Sequence, residues 1–174
     1  MNIINNLTEL KYYYQSRYGL NLLDTQFEII ESDKDFETVR FERYRQTGST
    51  TALSIKALEF AIHNQRSRVT IVCPFSAMAL VHYSLIMNFL ERKQLSRFLY
   101  NNNKQDRVIT LINGSRIYFK SAAISDSLFG LRNDCVLVDC ANKIENKEVF
   151  DAIRSSLIAS KKGQLILIDS KDFY

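Results

Sequence analysis

The chain predicts an α/β fold with a mostly parallel central sheet, and three observations lead there. Short apolar runs at 69–73, 135–138 and 165–168 are rich in Val, Ile, Leu and Cys, as strands buried on both faces are. Longer helix-favouring stretches lie between them, and strands alternating with helices give a parallel sheet. Asn113-Gly114, flanked by two further apolar runs, is a strong hairpin signal, so one antiparallel unit is added.

Taken in order, residues 6–18 predict a first helix ended near Gly19, with Tyr12, Tyr13 and Tyr14 as packing surface. Residues 22–31 predict a second helix, with Asp24 or Thr25 near its start. Residues 1–35 thus form a helical lead-in. Residues 36–44 alternate and predict a strand; Val39, Phe41 and Arg43 share one face, and Arg40, Glu42 and Tyr44 the other. That is heavily charged for a central strand. A helix over 50–63, a strand over 69–73 stopped by Pro74, and one long helix over 75–99 follow. In the last, Met78, Val81, Leu85, Phe89 and Leu90 form the apolar positions and Glu91, Arg92 and Lys93 are solvated. Residues 101–106 read as a polar loop, and 108–112 with 116–119 as the hairpin strands. The strand at 135–138 ends in Asp139. A helix over 147–160 is stopped by Gly163, and a strand at 165–168 ends in Asp169-Ser170.

With 174 residues, 46% of them hydrophobic and 24% charged, the chain is a single globular domain able to bury a core. One proline and five glycines leave no flexible linker. A net charge of +4 permits a polyanionic partner without demanding one. No apolar run approaches the ~18 residues of a membrane span, and residues 1–5 lack a signal peptide's basic and apolar regions. Cys73, Cys135 and Cys140 sit in or beside apolar segments and read as reduced thiols of an intracellular protein. No Cys/His grouping has metal-ligand spacing. His63 and His82 stand alone inside helical stretches and read as structural.

Two stretches carry chemistry. Arg43-Tyr44-Arg45-Gln46-Thr47-Gly48-Ser49-Thr50-Thr51 joins a strand to a helix through a glycine turn, an arrangement that holds phosphate on backbone N–H groups. Thr50 or Thr51 offers a hydroxyl for Mg²⁺, as in a Walker A loop, but Ser49 stands where Gly-Lys-Ser/Thr would place lysine. By spacing alone, a plain junction with polar capping residues explains the stretch equally well. Val136-Leu137-Val138-Asp139 puts a carboxylate at the rim where α/β sheets bind ligands, the Walker B position. By itself, Asp139 serves equally as a cap for the next segment.

In order and wording these segments resemble the ATPase domain of viral DNA-packaging terminases, the large subunits of tailed phages and herpesviruses. Arg45-Gln46-Thr47-Gly48-Ser49-Thr50-Thr51 resembles that family's R-Q-x-G-K-T-T loop. Leu111-Ile112-Asn113-Gly114-Ser115-Arg116-Ile117 is similar to its N-G-S hairpin. Gly130-Leu131-Arg132-Asn133-Asp134 with Val136 to Ala141 resembles G-L-R-x-D followed by V-L-V-D-E-A. The likeness runs from about residue 22 to 170. It implies a RecA-like P-loop NTPase of three layers that couples ATP binding and hydrolysis to moving double-stranded DNA into a capsid. It further implies phosphates on the backbone of residues 47–51, with Arg43, Gln46, Thr47, Gly48, Ser49, Thr50 and Thr51 at the nucleotide. Mg²⁺ would lie on Thr50 and Asp139, Arg45 would set the γ-phosphate, Gln26 would contact adenine, and Ser170 would stand at the coupling motif. Portal or other assembly proteins, a homo-oligomeric ring, and the host cytoplasm or nucleus are the implied partners and setting.

Ser49 departs from the loop's lysine, and Cys140 from the glutamate that aligns the attacking water. Both changes fall on chemistry, because positioning and charge neutralisation supply most of phosphoryl-transfer catalysis. Arg43 or Arg45 is the candidate substitute for the lysine, and Asp139 or Glu145 for the glutamate. The family's nuclease domain is not expected within residues 1–174. Three readings follow: an ATP-driven motor domain, a degenerate non-hydrolysing module binding nucleotide, DNA or protein, or a purely architectural likeness. Arg40, Arg43, Arg45, Arg66, Arg68, Lys161 and Lys162 are the candidate DNA contacts.

Overall fold

A computed structural model describes residues 7–32, 38–44, 46–124, 130, 132–158, 160 and 163–171. Its elements in order are α1 (Leu7–Tyr18), α2 (Asp24–Ile30), β1 (Thr38–Tyr44), α3 (Ser49–His63), β2 (Arg68–Cys73), α4 (Ser76–Leu90), β3 (Leu99–Asn103), β4 (Val108–Leu111), β5 (Arg116–Ser121), β6 (Cys135–Val138), α5 (Lys147–Leu157) and β7 (Gln164–Lys171). The strands form one sheet in the order β1-β7-β6-β2-β5-β4-β3. The pairs from β1 through β7, β6 and β2 to β5 are parallel; β5–β4 and β4–β3 are antiparallel. This is the mostly parallel sheet with an added hairpin that the sequence predicts, in a RecA-like arrangement of three layers.

Alternation along each strand sorts its side chains into two cores. Cys135, Leu137, Ile166 and Ile168 face residues of α1, α2, α3 and α4. Val136, Val138, Leu165 and Leu167 face Val149, Ala152 and Ile153 of α5. Leu53, Ile55 and Leu58 of α3 and Ile86 of α4 are fully buried, each contributing roughly 1.5–3 kcal/mol of burial. α1 is tied to α3 through Glu59, which accepts from Arg17 Nε at 2.6 Å and from the Tyr18 hydroxyl.

β1 lies at a sheet edge among the described residues, not at its centre, which resolves its charge pattern. It pairs only with β7, and its outer-face charges find partners there. Arg40 forms a bidentate pair with Asp169 at 2.6 and 3.0 Å, and Lys171 pairs with Glu42.

The single long helix over 75–99 is corrected. α4 stops at Leu90, and a 3₁₀ turn at Ser96–Phe98 leads into β3. A helix continued to residue 99 would run roughly 37 Å and carry Leu95 away from the core in which it is fully buried. The exposed charged stretch after Leu90 lets the chain turn back. Residues 101–103, expected in a loop, therefore form the edge strand beside β4. The buried stripe of α4 is also offset from the expected one: Ala79, His82, Tyr83 and Ile86 point inward, while Val81 is exposed. α5 ends at Leu157, short of residue 160.

Candidate nucleotide-binding site

Every parallel strand ends at the same edge of the sheet, and there β1 hands the chain to α3. Gln46 and Gly48 both take left-handed backbone angles, φ 66° and 72°, which turns the loop sharply. Thr47 Oγ1 donates to Tyr44 O at 2.8 Å. The first helical bond is Ala52 N–H to Gly48 O, 3.0 Å, so the N–H groups of Ser49, Thr50 and Thr51 lie ahead of any intrahelical acceptor. Among the described residues no side chain caps α3, and its first turn carries no acid. A fifteen-residue helix thus offers bare amides and its positive dipole end at the loop.

Gln26 lies against that loop. Its Oε1 accepts from Leu23 N–H at 2.8 Å and its Nε2 donates to Gly48 O at 3.0 Å. Its φ of 72° favours glycine, and a Cβ on Gly48 would stand 2.3 Å from Gln26 Nε2, so a larger residue would also push the Gln26 amide aside. Arg43 stacks over Phe41, pairs with Glu28 and donates to Glu42 O; among the described residues its buried Nε has no partner. Arg45 lies outside the described residues.

Across the crevice, Asp139 follows β6 and is 2% exposed. Thr50 Oγ1, from the first turn of α3, donates to Asp139 Oδ2 at 2.9 Å. His82 Nε2 lies 3.1 Å from the same oxygen, and Ser54 Oγ lies 2.8 Å from His82 Nδ1. Burial pushes the Asp139 carboxyl up, but the hydrogen bond and charge of His82, the Thr50 hydroxyl and the Cys140 N–H outweigh it and hold it below the usual carboxylate value. Cys140, left-handed at φ 53°, has Sγ 3.7 Å from Asp139 Oδ1. Burial, then the Asp139 charge, pushes its thiol up to about 11. Asn142 clasps the backbone of Ser170 from both sides, donating to its carbonyl at 2.9 Å and accepting from its N–H at 3.0 Å. The segment after β6 is thereby tied to the end of β7.

The structure brings Gln26, Gly48, Ser49, Thr50, Thr51, Asp139 and Ser170 to one rim. It does not gather the basic residues: Arg40 and Arg43 sit on β1 and are ion-paired, Arg66 and Arg68 lie at the opposite, N-terminal end of β2, and Lys161 and Lys162 fall outside the described residues. Among the described residues no group of three or more His, Cys, Asp or Glu could hold a metal, and no helix is long and apolar enough to cross a membrane. Sequence reading missed His82, Ser54 and Asn142. For His82 the signal was available, since a histidine within a helix's buried stripe needs partners for both ring nitrogens.

Solved structures of the same fold include the large terminase ATPase domain of Thermus phage P74-26, 20% identical, with TM-score 0.76 over 92% of this chain and 69% of that one. The large terminase of bacteriophage HK97 is 16% identical, with TM-score 0.76 over 86% of this chain and 33% of that one. A large terminase from a thermophilic bacteriophage, solved in complex with ADP, is 11% identical, with TM-score 0.66 over 85% of this chain and 38% of that one. A search of curated protein sequences finds no match. The profile of the terminase large subunit, T4likevirus-type, N-terminal family matches residues 43–170, and the chain belongs to that family.

Proposed function

We propose that this domain binds a Mg-nucleotide at the loop of residues 46–51 and serves as the motor domain of a phage DNA-packaging machine. The observation that carries the reading is the 2.9 Å hydrogen bond from Thr50 to Asp139. It joins two motifs 89 residues apart in the chain, at the open N-terminus of α3. A bare junction or a simple capping acid gives no reason for that meeting.

The residues fit both groups. Phosphate oxygens are anions suited to the free amides of Ser49, Thr50 and Thr51. Thr50 Oγ1 and Asp139 supply the hard oxygen donors that Mg²⁺ takes, and Mg²⁺ is ordinarily held by one or two protein groups together with phosphates. When bound, the metal would neutralise charge on the phosphates. Gln26, already on Gly48, would report the loop's position toward the base, and Arg45, or Arg43 on leaving Glu28, would supply the positive charge that Ser49 lacks. Asn142 would link the metal side of the crevice to Ser170, where the end of β7 passes motion onward. Coupling to double-stranded DNA, a portal protein and a ring of subunits belong to this same reading.

Hydrolysis is where the site is weak. With its thiol pushed up to about 11, Cys140 is neutral near pH 7 and does not act as a base toward water. The second reading, a non-hydrolysing binding module, rests on that observation. Calorimetric titration with Mg-ATP and a slowly hydrolysed analogue tests the shared part. One-to-one binding with little turnover is expected, and no binding at millimolar nucleotide would sink it. Ser49→Lys with Cys140→Glu then divides the readings: hydrolysis gained from a silent parent marks the parent as a binding module.

A further inference from the structure

Thr50, Ser54, His82 and Asp139 come from three separate segments, yet are joined by hydrogen bonds from the rim into the core. His82, on α4, and Ser54, on α3, are fully buried. A carboxylate only accepts, so the 3.1 Å contact to Asp139 Oδ2 requires the proton on His82 Nε2. Nδ1 then accepts from the Ser54 hydroxyl at 2.8 Å, whose single proton is in that arrangement not given to Thr50 O, 2.9 Å away. The imidazole is held at both nitrogens, one end on the acid and the other on the first turns of the phosphate-loop helix. Asp139 Oδ2 accepts from Thr50 and His82 together, which leaves its carboxylate one orientation.

From this geometry we infer that His82 is a positioning residue for the metal and nucleotide: it holds Asp139 against the N-terminus of α3 in a loop that has no lysine. The inference rests on the proposed reading of the site. A Ser-His-Asp order is that of a hydrolase triad, but Ser54 Oγ is fully buried, out of reach of any substrate. A histidine serving only as packing needs no partner on the metal-side acid. Here both of its bonds end on groups that define the crevice, and Asp139 would turn away from Thr50 without it. Partners that orient a metal-binding group in this way typically change metal affinity roughly 10- to 100-fold when removed.

The test is nucleotide affinity of the whole chain with Mg²⁺ and with EDTA, for the parent, His82→Leu, His82→Gln and Ser54→Ala, each with its melting temperature. Gln places an amide N–H near the position of Nε2 and is the conservative rescue. The expected result is that His82→Leu loses the Mg²⁺-dependent part of the affinity by about 10-fold or more with its EDTA value unchanged. His82→Gln should recover most of that loss, and Ser54→Ala should fall between. Should His82→Leu fail to fold, the other two variants are read the same way. In parallel, the ¹⁵N-labelled imidazole should show a slowly exchanging Nε2–H signal that shifts in Asp139→Asn and in Ser54→Ala. Folded variants that match the parent under both conditions overturn the inference and leave the reading of the site standing. Equal losses with and without Mg²⁺ also overturn it, because they mark a structural role. A parent that binds no nucleotide in either condition removes the reading itself, and the inference with it.

Discussion

Gly48 and Asp139 show what single residues decide here. Gly48 holds φ 72° with Gln26 Nε2 where a Cβ would point. Gly48→Ala should cost about 1–2 kcal/mol for the left-handed backbone alone, and more as Gln26 is displaced; urea denaturation measures the loss. Asp139 is held below its ordinary value in the fold, so it binds its proton less readily folded than unfolded. The stability from that difference is therefore complete above the unfolded carboxylate value of about 4 and is lost as pH falls through the lower, folded value. Asp139→Asn should flatten that part of the acid unfolding curve. A curve that keeps the parent's shape would refute the assignment. Both residues were legible as candidates in the sequence. Their contacts were not, because Gln26 meets Gly48 and His82 meets Asp139 only across the fold.

At the level of elements, the Asn113-Gly114-Ser115 hairpin does more than turn the chain. Asn113 Nδ2 donates to Ala61 O at 2.8 Å and Ile62 O at 3.0 Å, capping the C-terminal carbonyls of α3. Ser115 Oγ donates to Asn64 O at 2.6 Å. The helix that carries the phosphate loop at one end is thus pinned at the other. Asn113→Ala leaves two carbonyls and the Ser115 N–H without this partner and should lower stability by about 1–3 kcal/mol, read as a shift of the denaturation midpoint at constant slope. A change within error would mean water replaces the cap. The turn was legible from two residues, whereas its docking site was not, since the partners stand 51 and 52 residues apart in the chain. The overlong α4 has the same origin: helix-favouring residues continued past Leu90, and only the burial of Leu95 turned the chain back.

For the molecule as a whole, the two cores lie on opposite faces of one sheet, and the crevice at its edge draws on both. Ligand binding should therefore stabilise the entire domain and not a loop alone. At a Mg-nucleotide concentration one hundred times Kd the gain is about 2.7 kcal/mol, a rise in Tm of about 5–10 °C for a chain of this length. Far-UV circular dichroism and tyrosine fluorescence should report it as one coincident transition. Separate transitions for the two probes would show that the helices over α3 melt independently of the sheet.

Sequence alone determined the alternation of strands and helices, the hairpin, the glycine turn before α3 and the acid after β6. These are local: periodicity, turn chemistry and the apolar content of a short run act over a few neighbouring residues. Strand order, the edge position of β1, the end of α4 and the meeting of Thr50, His82 and Asp139 were decided by the tertiary structure. Each depends on which distant segments share the two cores, and a buried polar side chain takes whatever partner the packing brings to it.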